Sequence, residues 1–297
     1  MSSQPNAFIV GAPKCGTTSL ASWLAQHPDV LVSTPKEPHY WSQDIRTPHR
    51  VSAARYASLF HSGKEARVRL DASTLYLYSR VAVGAILEQI PQARFIVCTR
   101  DPVDMALSLY RHQRRIGFES ASSLEEAWAL QEARLRGEVS IPSACPDPQV
   151  LQYGPMCRLG EQLHRLLEQV PADRVLVLCL EDLASKPAAA YAQVLSFLEV
   201  PSDGRVEFPA ENEGGEPRSR LLQRLLGLAS RLKFLLGINR SFGLARRNRV
   251  VVRMDKSALE AATRDMLTDY FREDQALLAR VLTESGLAPS LHMSKRA

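Results

Sequence analysis

The fold is indicated most clearly by residues 8–19, Phe8-Ile9-Val10-Gly11-Ala12-Pro13-Lys14-Cys15-Gly16-Thr17-Thr18-Ser19. Its apolar residues 8–11 predict a short β-strand, and apolar side chains that recur at helical spacing over residues 17–26 predict an amphipathic helix. The loop between them and the first helical turn together offer backbone N–H groups to an anion. This segment therefore predicts a strand–loop–helix unit that binds a phosphate-like group.

The same alternation of strand and helix continues along the chain. Further apolar runs of strand length lie at residues 30–32, 68–70, 95–98 and 175–180, and helical patterns lie between them, at about residues 80–90, 102–115, 123–136, 157–170 and 187–198. This order predicts a single α/β domain with a parallel sheet and helices on both faces. We expect residues 5–200 to form its core and residues 201–297 a basic, mostly helical part that closes the site.

The composition is that of a globular protein. Of the 297 residues, 45% are hydrophobic and 23% charged, which excludes disordered and collagen-like chains. Five scattered cysteines without a C-x-x-C pair predict neither a zinc site nor a disulfide framework, so no metal is expected. No apolar run approaches a membrane span, and no signal peptide is recognised at the N-terminus. We therefore expect a cytoplasmic protein.

The basic residues are unevenly distributed. Residues 217–254 contain ten Lys and Arg residues and no acidic residue, although the net charge of the whole chain is only +5. Such a block favours contact with an anionic surface, but a solvated helical face explains it equally well. No aromatic residues alternate with these basic residues as in a nucleic-acid-binding module, so no nucleic-acid partner is expected.

The loop at residues 11–19 differs from the nucleotide-triphosphate P-loop. In G-x-x-x-x-G-K-[ST] the lysine follows the second glycine, whereas here Thr17 follows Gly16 and the lysine is Lys14. This arrangement resembles the 5′-phosphosulfate loop, P-K-x-G-T-T, of the sulfotransferases that use 3′-phosphoadenosine 5′-phosphosulfate (PAPS). The resemblance implies a P-loop-like fold, PAPS as cofactor without a metal, and contact with the cofactor through Lys14, Cys15, Gly16, Thr17, Thr18 and Ser19.

Two further motifs support this resemblance. The apolar run at residues 95–98 leads to Arg100-Asp101-Pro102 and, eight residues after the arginine, to Ser108; in the family this arginine and serine bind the 3′-phosphate. Lys36-Glu37-Pro38-His39-Tyr40-Trp41 resembles the K-E-x-x-[FY]-[FW] segment of the heparan-type and bacterial carbohydrate branch, in which the glutamate is the catalytic base. Glu37 is therefore the expected base, with His39 as the alternative. Partial burial is expected to raise the pKa of Glu37 towards neutrality.

The remaining assignments concern the acceptor and the adenosine. By resemblance, Ser73 and Tyr76 contact the acceptor, although core packing explains Tyr76 equally well, and Arg218 and Arg220 reach the 3′-phosphate from a C-terminal loop. Many relatives place a tyrosine against adenine where this chain has Leu159, and Tyr153 is the nearest aromatic residue. The adenine contact is therefore unassigned.

The sequence thus predicts a sulfotransferase that moves the sulfuryl group of PAPS to a hydroxyl, in preference to an amine, of a small-molecule, glycan or lipid-linked acceptor. Two alternatives are a P-loop kinase or NTPase, which would need a lysine next to Thr17, and a non-catalytic anion-binding protein, which would not need Glu37 beside the loop.

Overall fold

The central sheet consists of five parallel strands in the order β2-β3-β1-β4-β5. These strands are β1 (Ala7–Gly11), β2 (Val30–Val32), β3 (Val68–Ala72), β4 (Arg94–Thr99) and β5 (Val175–Cys179). Every residue of the central strand β1 is buried, because helices cover a parallel sheet on both faces. The predicted parallel α/β sheet is confirmed in a computed structural model, which describes residues 4–48, 50–61, 65–211, 215–217, 249–251 and 259–287.

Ten helices accompany the strands in the described part of the chain. They are α1 (Thr17–Leu24), α2 (Ala53–Ser58), α3 (Ala82–Gln89), α4 (Pro102–Ile116), α5 (Leu124–Leu135), α6 (Tyr153–Cys157), α7 (Leu159–Leu167), α8 (Leu180–Ser185), α9 (Pro187–Phe197) and α10 (Ala261–Glu284). Short 3-10 turns lie at Pro148–Leu151 and Ala172–Arg174. None of the helices described is long and apolar enough to cross a membrane.

The chain divides into two compact units. The first contains Met1–Pro209 and Ala261–Ala297, and the second contains Ala210–Glu260. Within the second unit, β6 (Gly215–Pro217) pairs with β7 (Arg249–Val251) in antiparallel fashion. This division differs from the predicted boundary near residue 200, because the C-terminal helix α10 belongs to the first unit.

Helix α10 joins the first unit through a buried carboxylate. Asp274 accepts hydrogen bonds from the backbone N–H groups of Gly160 and Glu161, both at 2.9 Å, and so satisfies the first turn of α7. A Cβ atom at position 160 would collide with the carbonyl oxygen of Asp274, so glycine lets the two helices approach closely. Phe271 and Leu267 of α10 are fully buried in this contact region.

Candidate active site

The predicted phosphate loop lies between β1 and α1, at the carboxyl edge of the sheet. The N–H of Ala12 donates to the carbonyl of Cys98 at 2.8 Å, which ties the loop to β4. Gly16 is the N-cap of α1, with φ of 84°, and has no side chain to cap the helix. The first turn of α1 is therefore open to an external anion, as such helix starts commonly are.

Arg100 joins the second predicted motif to this loop. It follows β4 directly, and its Nη1 donates to the carbonyl oxygen of Lys14 at 3.2 Å. Asp101 fixes the start of α4, since its side chain accepts from the N–H of Asp104 at 2.9 Å. Ser108 lies two turns further along α4 and is 7% exposed. The structure thus brings the two sequence motifs to the same edge of the sheet.

Lys14 lies among charged groups from three other segments. Burial, together with the positive charges of Arg115 and Arg100, lowers the pKa of its ammonium group to about 8, and the carboxylate of Glu37 opposes this shift. The backbone of Lys14 has φ of 67°, a left-handed conformation that the surrounding structure must enforce on a non-glycine residue. The loop therefore holds a lysine that is still a cation at pH 7 but titrates near the physiological range.

Glu37 is paired with both of its polar neighbours. Its Oε1 lies 2.6 Å from Nζ of Lys36, and its Oε2 lies 3.3 Å from Nε2 of His39. Burial alone would raise the pKa of Glu37, but the hydrogen bond from His39 and the charge of Lys36 outweigh it and hold that pKa well below its usual range. The expectation of a raised pKa is therefore wrong in direction, because it took no account of these two partners.

The residues around Glu37 are more buried than Glu37 itself. The side chain of Glu37 is 35% exposed, whereas that of His39 is 10% exposed. Nδ1 of His39 is buried without a hydrogen-bond partner. Since Nε2 faces a carboxylate, the ring braces Glu37 from the protein side, and the exposed carboxylate is the group of the two that an acceptor can reach.

Ser73 and Tyr76 lie beneath this segment. Both are 0% exposed, and both hydroxyl groups donate to the carboxylate of Asp71. They also accept from the segment above them, Ser73 from the N–H of His39 at 3.2 Å and Tyr76 from the N–H of Trp41 at 3.4 Å. This geometry does not support the predicted contact with an acceptor, because neither side chain reaches the cleft.

His112 and Arg115 are two neighbours of Lys14 that the sequence analysis missed. Nη2 of Arg115 lies 2.9 Å from Nδ1 of His112. Burial, with the charges of Lys14 and Arg115, lowers the pKa of His112 to about 3, so the ring is neutral at pH 7. Ser108, His112 and Arg115 follow each other at intervals of four and three residues, which places them on one face of α4. That spacing is the signal that could have identified them.

The remaining sequence-based assignments concern the adenine contact, the C-terminal arginines and a metal site. Leu159 is buried, and Tyr153 is 0% exposed with its hydroxyl donating to Glu119 at 2.7 Å, so both are core residues. Arg218 and Arg220 lie outside the described residues. Within the residues described, no group of three or more His, Cys, Asp or Glu side chains is arranged to hold a metal ion.

Comparisons with known proteins identify the family of this chain. Residues 4–212 match the family model described as sulfotransferase domain. Heparan sulfate glucosamine 3-O-sulfotransferase 3A1 of Mus musculus is 29% identical over 196 residues, covering 65% of this chain and 45% of that protein. Bifunctional heparan sulfate N-deacetylase/N-sulfotransferase 3 of Homo sapiens is 26% identical over 206 residues, covering 66% of this chain and 22% of that protein. The chain thus spans less than half the length of these curated relatives.

Solved structures show the same fold. A sulfotransferase from Alicyclobacillus acidocaldarius superposes with a TM-score of 0.62 and 27% identity, covering 82% of this chain and 99% of that one. Mouse sulfotransferase SULT7A1 complexed with PAP superposes with a TM-score of 0.51 at 13% identity, covering 97% of this chain and 90% of that one, and is similar in fold alone. Since the family model covers more than two thirds of the sequence, the chain belongs to the sulfotransferase domain family.

Proposed function

We propose that this protein is a PAPS-dependent sulfotransferase that transfers the sulfuryl group to an acceptor hydroxyl, in preference to an amine. The observation that carries the proposal is the convergence of Lys14, Arg100 and Glu37 at one edge of the sheet: Arg100 donates to the backbone of Lys14, and Glu37 acts electrostatically on its ammonium group. The positively charged groups can bind the anionic donor of the transferred group. The ionised carboxylate beside them can accept the proton that the attacking hydroxyl must lose.

The residues present fit a nucleotide that carries phosphate groups at both the 3′ and the 5′ position of its ribose. The open first turn of α1, with the hydroxyls of Thr17 and Thr18, would hold the 5′-phosphate. Arg100 and Ser108 would hold the 3′-phosphate, because a guanidinium offers two parallel donors to phosphate oxygens. When bound, PAPS supplies the sulfuryl group; Lys14 would neutralise charge that develops on the bridging oxygen.

Glu37 would accept the proton of the acceptor hydroxyl. In this structure its two oxygens are engaged by Lys36 and His39, which keep it ionised. A base with a low pKa removes a proton poorly, so we propose that the acceptor displaces Lys36 from Oε1 while His39 keeps Oε2 in place. Loss of that ion pair would raise the pKa of Glu37 when the acceptor arrives.

We propose saccharides as the acceptor class. The curated relatives are named for 3-O- and N-sulfation of heparan sulfate, so saccharides are the first acceptors to test here. A cytoplasmic location and contact of residues 217–254 with an anionic surface stay predictions.

The 3′-phosphate assignment predicts a preference between two nucleotides. Adenosine 3′,5′-bisphosphate (PAP) should bind at least about tenfold more tightly than ADP, since a hydrogen bond to a charged group contributes roughly 1.5–3 kcal/mol. Arg100→Gln should remove most of this preference. Arg114→Gln, at an arginine of α4 that donates to Tyr110 and Ser122, should retain it. Isothermal titration calorimetry measures both affinities. Equal affinity of the unmodified protein for PAP and ADP would refute the assignment.

The pKa of Lys14 predicts a pH dependence. For the free enzyme, kcat/KM should fall as the pH rises through about 8, because the lysine then loses the proton that makes it a cation. Arg115→Gln removes a neighbouring positive charge, which should raise the pKa of Lys14 and move this alkaline limb to higher pH. Arg114→Gln removes the same charge without contact with Lys14 and should leave the limb in place. A limb that Arg115→Gln does not move would contradict the electrostatic account.

A further inference from the structure

The buried carboxylate of Asp71 is hydrogen-bonded to the groups that support the segment carrying Glu37. Asp71 is the fourth residue of β3, is paired with Phe8 of β1, and is 0% exposed. It accepts three hydroxyl donors: Ser73 at 2.7 Å on Oδ1, and Tyr56 at 2.8 Å and Tyr76 at 2.9 Å on Oδ2. Burial of a carboxylate costs free energy unless its oxygens are hydrogen-bonded, and here three hydroxyl groups satisfy them.

Each of these hydroxyl groups also accepts a hydrogen bond from the segment above. The N–H of His39 donates to Ser73 at 3.2 Å, and the N–H of Trp41 donates to Tyr76 at 3.4 Å. The indole Nε1–H of Trp41 donates to Tyr56 at 2.8 Å. Three donors of residues 39–41 are therefore linked to Asp71 through one hydroxyl each.

The carboxylate determines the direction of all three links. A hydroxyl group has one hydrogen, and when that hydrogen is donated to Asp71 the lone pairs of the oxygen are left to accept from the segment. If the side chain at position 71 donated a hydrogen bond from either of these positions, the hydroxyl group facing it could no longer donate there. The cluster therefore needs, at position 71, a side chain whose two terminal atoms are both hydrogen-bond acceptors.

The segment needs such a support because its backbone is strained. Glu37 and His39 have φ of 60° and 50°, left-handed values that a non-glycine residue keeps only when its surroundings enforce them. The hydrogen bond from His39 N–H to Ser73 lies at one of these two residues. Tyr40 stacks on Tyr56 with ring centroids 4.4 Å apart, which adds a packing contact to the same cluster.

We propose that Asp71 is a positioning residue that, through Ser73, Tyr56 and Tyr76, holds residues 37–41 in the conformation that directs Glu37 towards Lys14. This inference rests on the proposed role of Glu37 as base. Asp71 is 0% exposed, so neither the acceptor nor PAPS would touch it. Its effect is on the geometry of proton transfer, where a misplacement of about 1 Å costs on the order of 10²-fold in rate.

Asp71→Asn tests the inference, because asparagine keeps the shape but puts an amide donor at one of the two oxygens. We expect kcat to fall roughly 10- to 100-fold while the affinity for PAP is unchanged, since no phosphate motif is touched. Tyr191→Phe is the matched control: it removes another hydroxyl bonded to a carboxylate, Asp203 at 3.1 Å, and should leave kcat unchanged.

A double-mutant cycle distinguishes positioning from general destabilisation. If Asp71 acts through Glu37, Asp71→Asn should cost little further activity in a Glu37→Gln background, whereas a merely structural defect would add its full cost to both backgrounds. The same cycle separates the two proposals. A fully active Glu37→Gln enzyme would refute Glu37 as base, and an additive cycle would refute Asp71 as its positioning residue.

If Asp71→Asn does not fold, Ser73→Ala and Tyr76→Phe decide the question, since each removes one link and leaves the carboxylate in place. Both should lower kcat severalfold with unchanged PAP affinity. The inference is wrong if a folded Asp71→Asn enzyme retains full kcat, or if neither single-link variant lowers it.

Discussion

Replacing Lys14 by alanine is expected to lower kcat by roughly 10²–10³-fold, the usual cost of removing one preorganised group that stabilises developing charge. The affinity for PAP should fall much less, because the backbone of the loop, Arg100 and Ser108 remain to hold the phosphates. The backbone of Lys14 is held in a left-handed conformation, and its carbonyl oxygen accepts a hydrogen bond from Arg100 at 3.2 Å.

The measurement for Lys14→Ala is the rate of PAP formation at saturating PAPS, together with calorimetry of PAP binding. Lys186→Ala, at an exposed lysine before α9, controls for loss of a positive charge and should be fully active. Unchanged kcat in Lys14→Ala would refute its role at the leaving group. A loss of PAP affinity that matches the loss of kcat would assign the lysine to binding alone.

Replacing Glu37 by glutamine is expected to lower kcat by roughly 10²–10⁴-fold, because the amide keeps the shape of the side chain but cannot accept the acceptor's proton. His39→Asn should cost much less, since the ring lies behind Glu37, with Nε2 3.3 Å from Oε2. Neither residue belongs to a phosphate motif, so PAP affinity should survive both changes.

Turnover at saturating PAPS separates the two residues. An active Glu37→Gln enzyme beside an inactive His39→Asn enzyme would move the base to His39. Thermal unfolding of both variants is the control, because His39 is buried and its loss could act on the fold. Equal melting temperatures with unequal kcat values would assign the difference to chemistry.

The sheet was predictable because its strands are short apolar runs between helical patterns. Val30–Val32 has the predicted bounds, and β1, β3, β4 and β5 differ from the prediction by one or two residues at one or both ends. The helices α2, α6 and α8 were missed, because five or six residues are too few to show a helical period. The return of α10 to the first unit depends on the contact of Asp274 with Gly160, which no local pattern reveals.

The site residues that belong to short sequence motifs were predictable. Lys14, Arg100 and Ser108 follow strands, so a parallel sheet brings them to one edge. The pKa of Glu37 was not predictable, because its direction depends on distances to Lys36 and His39. Burial of Ser73 and Tyr76 likewise depends on a carboxylate, Asp71, whose partners come from separate segments of the chain.

The most direct test of the account is transfer of labelled sulfur from PAPS to a panel of saccharide and phenol acceptors. We expect the label to move to an acceptor hydroxyl with one PAP formed per transfer, and we expect Lys14→Ala and Glu37→Gln both to suppress this transfer. Hydrolysis of ATP by the protein, or transfer of its terminal phosphate to the same acceptors, with PAPS left intact, would contradict it.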